Sequence, residues 1–354
     1  MKNTGFYLAA IFAIALCSTV QAQDALSGLI KSAPDDATKL LNAYATPLFK
    51  GIGTGANGGW TNTAETKGLL HFDVRFTASA TFISSSDKTF DVTKLGLRDA
   101  TPTNPNQTIT PTFGGQKNID GVTLDIRDDN GHKVGTYTLP GGVSSVIPIP
   151  QLQATVGLPA NTDITVRAIP KIKISDDVGS ISMIGVGLKH NIMRDIAGKT
   201  ADKLIPFDLA VVVAYSHINM NKPLTVNPDN GAQPKDNQQS TDFSNQHLNG
   251  NFNTFLGELV LSKKLPVITP FIAVGYNLGR TNVTAVGNYP ITTGATLTHE
   301  TYTTFTNPIN IQRNNVDGVR ADIGFQLTLG FFRLYASYSQ AQYASVNGGV
   351  GFGI

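Results

Sequence analysis

His71, Asp73 and Arg75 stand at positions i, i+2 and i+4. On a β-strand such positions share one face. An imidazole, a carboxylate and a guanidinium would then project side by side, the best grouping in the chain for acid–base chemistry. A nucleophile to work with them is missing, because no Ser–His or Asp–His pairing stands out elsewhere. His190 and His217 fall at strand ends, and His132, His247 and His299 in or beside loops, without metal-ligand spacing. Asp128-Asp129-Asn130-Gly131 has the start of a calcium loop but not its glutamate, and turn formation explains it. Residues 51–59 are glycine-rich without the Gly-Lys-Ser/Thr of a phosphate loop. The expectation is a protein with no catalytic residue, metal or cofactor, and not an enzyme.

The element that carries His71 is the more informative feature. From Leu70 to Phe82 apolar and polar residues alternate without a break. This is long for a globular strand and suits a tilted membrane strand with its rims. The same period recurs around residues 151–158, 164–174, 184–189, 207–216, 248–262, 268–278, 320–329, 332–339 and 345–354. Ten strands result, and their connections sort by parity. With the first strand rising from the periplasm, where the N-terminus is expected to stay, the inner turns 159–162, 263–266 and about 330 are tight. The outer loops 83–145, 220–246 and 283–315 are long. That asymmetry belongs to outer-membrane barrels rather than sandwiches. The longer inner turn, 191–205, has room for a helical turn. Pro170 and Pro270 interrupt two strands, and proline lacks the ladder donor, so these should be bulges or strand ends. Asn130-Gly131 marks a hairpin inside 83–145. If its strands joined the wall, the count would rise to twelve to fourteen.

Composition agrees. The chain has 354 residues, 41% hydrophobic and 15% charged, with 27 basic and 25 acidic groups. This balance lacks the basic signature of nucleic-acid binding. Mean hydropathy is −0.04, and no apolar run reaches the roughly 18 residues of a membrane helix. Lys2, an apolar run over 6–17 and Val20-Gln21-Ala22 make a signal peptide over 1–22, cut after Ala22. Cleavage would remove Cys17, the one cysteine. Residues 23–67 read as two short amphipathic helices, 24–31 and 35–44, then a flexible glycine-rich connector, the whole a candidate plug. Residues 68–354 form the barrel, with 83–145 inserted outside the membrane.

The chain ends with Gly349, Phe352 and Ile354 in the pattern of an outer-membrane insertion signal. A terminal strand without a tail would be a sticky edge unless closure pairs it. The chain resembles an uncharacterised Bacteroidota family of outer-membrane β-barrels. The likeness is carried by Val20-Gln-Ala-Gln23, by Gly53-Thr-Gly-Ala-Asn-Gly-Gly-Trp60 leading into His71-Phe-Asp-Val-Arg75, by Pro150-Gln151 with Val156-Gly-Leu158, and by Gly187-Leu-Lys-His190. The resemblance implies kinship rather than an activity. In outline it is also similar to long-chain fatty-acid transporters, whose N-terminal segment plugs the lumen, a fold-level analogy.

The expected fold is therefore an all-β, transmembrane antiparallel β-barrel in the outer membrane. Lipid and the barrel-assembly machinery are its expected partners, with a small solute as a further one. Its inward face should hold His71, Asp73, Arg75, Arg167, Lys171, Lys173, Asp208, Glu258, Arg320, Asp322 and Arg333, since Arg or Lys facing the lipid midplane would cost about 2–4 kcal/mol. Three readings follow: a channel or transporter for small, even hydrophobic, solutes; a closed barrel acting through its outer loops; and, third, a barrel enzyme.

Overall fold

The computed structural model describes residues 29–30, 33–128, 130–175, 179–197, 206–296 and 298–353. The expected signal peptide, its cleavage point and Ile354 lie outside them.

Ten strands form the wall: β1 (Phe72–Phe82), β2 (Val146–Leu158), β3 (Thr162–Ser175), β4 (Gly179–Asn191), β5 (Asp208–Pro223), β6 (His247–Ser262), β7 (Ile268–Val286), β8 (Ile309–Leu329), β9 (Phe332–Gln340) and β10 (Ala344–Gly353). Each pairs with its neighbours in sequence, and β1 with β10 closes the ring, all antiparallel. The closing seam runs from Asp73 opposite Gly353 to Phe82 opposite Ala344. Gly349 lies in it, and Phe352 points outward and is exposed. Alternation decides which face each residue takes. Leu152, Val166, Ile184, Val213, Val274 and Val350 are exposed on the exterior, while Thr77, Ser79, Gln151 and Gln153 are buried inside. Phe72, Phe82, Tyr215, Tyr276, Phe332 and Tyr338 are all on the exposed face, as an aromatic girdle requires.

The two prolines behave differently. Pro270 is the third residue of β7 and keeps its register opposite Phe325. Pro170 sits in a register shift between Ile169 and Ile172. A bulge of this kind re-aims every later side chain. Beyond it Ile172 packs inward, and Lys171 and Lys173 are exposed. This corrects their expected place in the lumen.

The long connections, 83–145, 224–246 and 287–308, lie at one end of the barrel, and the short turns 159–161, 263–267 and 330–331 at the other. Helix α2 (Ile192–Ala197) occupies the longer inner turn. The hairpin at Asn130-Gly131 forms, pairing Thr123–Arg127 with Lys133–Thr138. Its sheet stands apart from the wall.

The N-terminal segment differs from its expected form. A single helix, α1 (Pro34–Ala56), replaces a helix ending near Tyr44 and a connector. Proline opens it and Asp35 and Asp36 fill its first turn, both suited to a helix start. It then runs through Pro47, Gly51, Gly53 and Gly55 without a break. Among the described residues no helix is long and apolar enough to cross a membrane by itself.

α1 lies inside the barrel. Its Leu40, Leu41, Phe49 and Ile52 share one dry core with Ile147, Ile218, Ile309 and Ile311 of the wall, and the Phe49 and Phe252 rings are 5.8 Å apart. The lumen is therefore apolar in its outer half and polar in its inner half, instead of polar throughout.

Candidate functional site

Below Ile52 the filling changes from hydrocarbon to charge. Arg167 on β3 is fully buried. Its Nη1 donates to the Ala56 carbonyl at 2.7 Å, and its Nη2 to the Gly58 carbonyl at 3.0 Å and to Gln153 Oε1 at 3.0 Å. The guanidinium also stacks on the Trp60 ring at 3.8 Å. A cation here meets the negative end of α1 and the face of an indole, both favourable for positive charge. Trp60 rests against β4 because position 187 is glycine: a Cβ there would stand 3.0 Å from the ring.

Arg320 on β8 is the second buried cation. Its Nε and Nη2 donate to Asp322 at 2.8 and 2.7 Å, Nη2 also to Ser339 at 2.7 Å, and Nη1 to the Thr54 carbonyl at 3.4 Å. Glu258 on β6 is buried beside both arginines and Asp322. Arg75 donates to the Trp60 carbonyl at 2.7 Å, and Gln153 Nε2 to the same oxygen at 3.1 Å. Wall side chains therefore bind backbone carbonyls of the internal segment at Thr54, Ala56, Gly58 and Trp60. The arrangement is a latch between wall and plug.

Asp73 is held by Arg333, by Lys67 at 3.8 Å and by Arg75 at 3.8 Å. His71 precedes β1 and its side chain is exposed. The row of imidazole, carboxylate and guanidinium is thus absent as a working unit: two members form ion pairs and the third faces solvent. Asp208 lies at the inner end of β5, accepting from Asn191 Nδ2 at 2.7 Å. Among the expected inward residues, Asp73, Arg75, Arg167, Glu258, Arg320, Asp322 and Arg333 meet in or beside the inner half of the lumen.

The sequence reading missed Trp60, Lys67 and Asp163. Asp163 is fully buried, accepts the Lys67 backbone N–H at 2.9 Å and pairs with Lys189 at 3.1 Å. Its signal is the alternation of β3, which puts Asp163, one residue before the expected segment 164–174, on the inward face. These groups line an inner vestibule of about 230 Å³, together with Trp60, Asp73 and Arg333.

A separate contact fastens α1 at the outer rim. Lys50 Nζ lies 2.8 Å from Asp87, whose carboxylate also accepts from Tyr343 at 2.6 Å. Burial pulls the Asp87 pKa upward, but Lys50 and Tyr343 outweigh it and hold the carboxyl below its ordinary value. A carboxylate depressed in the folded state stabilises above its unfolded pKa of about 4 and loses that contribution as pH falls through the lower folded value. Urea unfolding followed from pH 6 to pH 2 should show this loss in the parent and not in Asp87→Asn. The effect should be about 1 kcal/mol or less, since the group is partly solvated.

A family model described as "Family of unknown function (DUF6588)" matches residues 1–354, and the chain belongs to that family. No curated protein matches it. Among solved structures it is similar to Ail, the attachment invasion locus protein of Yersinia pestis, at 8% identity over 81% of this chain and 100% of that one, with a TM-score of 0.27. It is also similar to the outer membrane transporter YddB from Escherichia coli, at 10% identity over 80% and 41%, TM-score 0.28. A third is the Pseudomonas putida toluene transporter TodX, at 7% identity over 88% and 75%, TM-score 0.26. Likenesses this slight carry no argument, and the barrel rests on its own strand pairing.

Proposed function

We propose that this DUF6588 barrel sits in an outer membrane as a closed barrel filled by its own N-terminal segment, and that its working surface is the platform built from its three long loops. The membrane reading is supported by the exposed apolar exterior and its aromatic residues at strand ends, since exposed apolar area on this scale needs a nonaqueous neighbour. The closed state is carried by one observation. The wall's buried arginines are spent on carbonyls of residues 54–60, above which α1 fills the lumen with hydrocarbon.

The loops support a platform because two of them, 224–246 and 287–308, hold each other. The Lys235 N–H donates to the Tyr302 carbonyl at 2.9 Å, and Gln246 Nε2 bridges the carbonyls of Val226 at 2.9 Å and Asn288 at 2.6 Å. Transport of a small solute is the second reading, favoured by the inner vestibule, and it requires α1 to move. In planar bilayers the intact protein is expected to give no steps above the empty membrane, and deletion of residues 34–66 to open an ion-conducting lumen. Steady channels from the intact protein would overturn the closed reading in favour of transport.

A further inference from the structure

We infer that the chain is threaded through its own barrel, so that α1 begins on the outer side and the barrel presents its own N-terminal segment at the cell surface. The inference rests on the outer-membrane reading for which side is outer. The threading itself rests on contacts at the two ends.

At the long-loop end, the buried carboxylate of Asp36 accepts the backbone N–H groups of Arg98 at 2.9 Å, Asp99 at 2.8 Å and Ala100 at 3.1 Å. Two turns on, the Tyr44 hydroxyl donates to the Gly141 carbonyl at 2.9 Å and the Phe113 N–H to the Tyr44 carbonyl at 2.9 Å. Leu29 and Ile30 are buried in the same core as Val122, Leu124 and Leu139 of that insertion. At the short-turn end, Glu65 pairs with Lys264 of the β6–β7 turn at 2.7 Å and its carbonyl accepts from Lys189 at 2.6 Å. Lys67 then meets Asp163, and the Leu70 N–H reaches the Gly157 carbonyl at 2.9 Å.

Between these ends the chain does not double back. α1 is 23 residues long, roughly 34 Å at the helical rise, and reaches from the outer loops into the outer half of the lumen. Residues 57–67 carry on in the same direction to the start of β1. The expectation that the N-terminal segment stays on the side where β1 starts is therefore corrected.

Single cysteines test the inference, with the parent chain, whose one cysteine is Cys17, as the blank. Asp35→Cys reports the start of α1, Lys235→Cys a long loop and Lys263→Cys a short turn; all three positions are exposed. With a membrane-impermeant maleimide on intact cells, Asp35→Cys should label as strongly as Lys235→Cys, and both at least tenfold above Lys263→Cys until the cells are permeabilised. Asp35→Cys tracking Lys263→Cys would sink the threading. Labelling of Lys263→Cys while the other two stay dark would reverse the outer side, ending surface presentation, but keep the threading. If none labels on intact cells, the outer-membrane reading and surface presentation fail. Threading is then read from purified protein, where a short bis-maleimide should join Lys50→Cys to Asp87→Cys and Glu65→Cys to Lys264→Cys. Failure of either join overturns it.

Discussion

Arg320→Met is expected to lower the free energy of unfolding by about 3–5 kcal/mol, the cost of breaking a buried ion pair from one side. The Arg320 side chain is 1% exposed and makes two charge-assisted bonds to Asp322. Methionine fills much of the same volume, so the loss is electrostatic rather than a cavity. Asp322 would keep its contact with Ser339 but lose its counter-charge, with the buried carboxyl of Glu258 nearby. Arg167→Met should cost a comparable amount by a different route. The partners it abandons are the neutral carbonyls of Ala56 and Gly58 and the Gln153 amide, and an orphaned neutral acceptor costs about 1–3 kcal/mol. The double variant Arg320→Met/Asp322→Leu should recover most of the loss, because an apolar pair of similar size removes both charges. Urea unfolding in lipid vesicles reads all three through Trp60, the one tryptophan of the chain. A loss under about 1 kcal/mol in Arg320→Met, or no recovery in the double variant, would show that water reaches this layer and screens it.

The wall was legible in the sequence because two constraints act on it together. A strand has period two, and lipid rejects charge on one of the two phases. So Leu70 to Phe82 could be assigned a face, the recurrence of that alternation supplied the count, and loop length by parity supported it. Legibility failed where a constraint was local or changed sign. Beyond Pro170 the bulge moves Lys171 and Lys173 outside, and nothing in the spacing of residues 171–174 announces it. Above the membrane the outside is water and the inside is α1, so the apolar phase points inward at Val283, Ile309 and Ile311, and that stretch read as loop. The ion pairs needed a third dimension. Asp73 finds Arg333 across the closing seam, and no spacing along the chain encodes it. The glycine tract was read by propensity, since glycine costs a helix about 1 kcal/mol per residue relative to alanine. Tertiary packing overrides that cost, in a way that makes the tract the most exacting part of the plug.

Gly51→Leu/Gly53→Leu is expected to drive α1 from its seat. On a helix, positions i and i+4 share a face and i+2 lies nearly opposite. Gly51 and Gly55 therefore face one wall of the lumen and Gly53 the other. A Cβ at Gly51 would stand 2.6 Å from Ile147 Cγ1, one at Gly55 2.9 Å from Ile149 Cγ1, and one at Gly53 2.7 Å from Val316 Cγ2. β2 and β8 thus grip the helix from opposite sides, so it cannot move away from one without pressing on the other. Either single leucine should cost about 1–3 kcal/mol as overpacking, more than the helix propensity it gains. The pair should be worse than additive, because a shift that relieves Ile147 pushes the helix into Val316. Once α1 rises, the carbonyls of Ala56 and Gly58 leave Arg167 and the Trp60 ring leaves β4. Trp60 emission should then move to the red, and ion conductance should appear in bilayers where the parent shows none. Gly51→Ala is the graded control: its methyl group would stand 2.6 Å from Ile147 Cγ1, a clash with one side chain that Ile147 can relieve by swinging aside, and the lumen should stay closed. Unchanged emission and no conductance in the double variant would mean that the wall itself spreads to keep the helix. The grip between β2 and β8 would then be compliant, and the latch at Arg167 and Arg320 would hold the plug by itself.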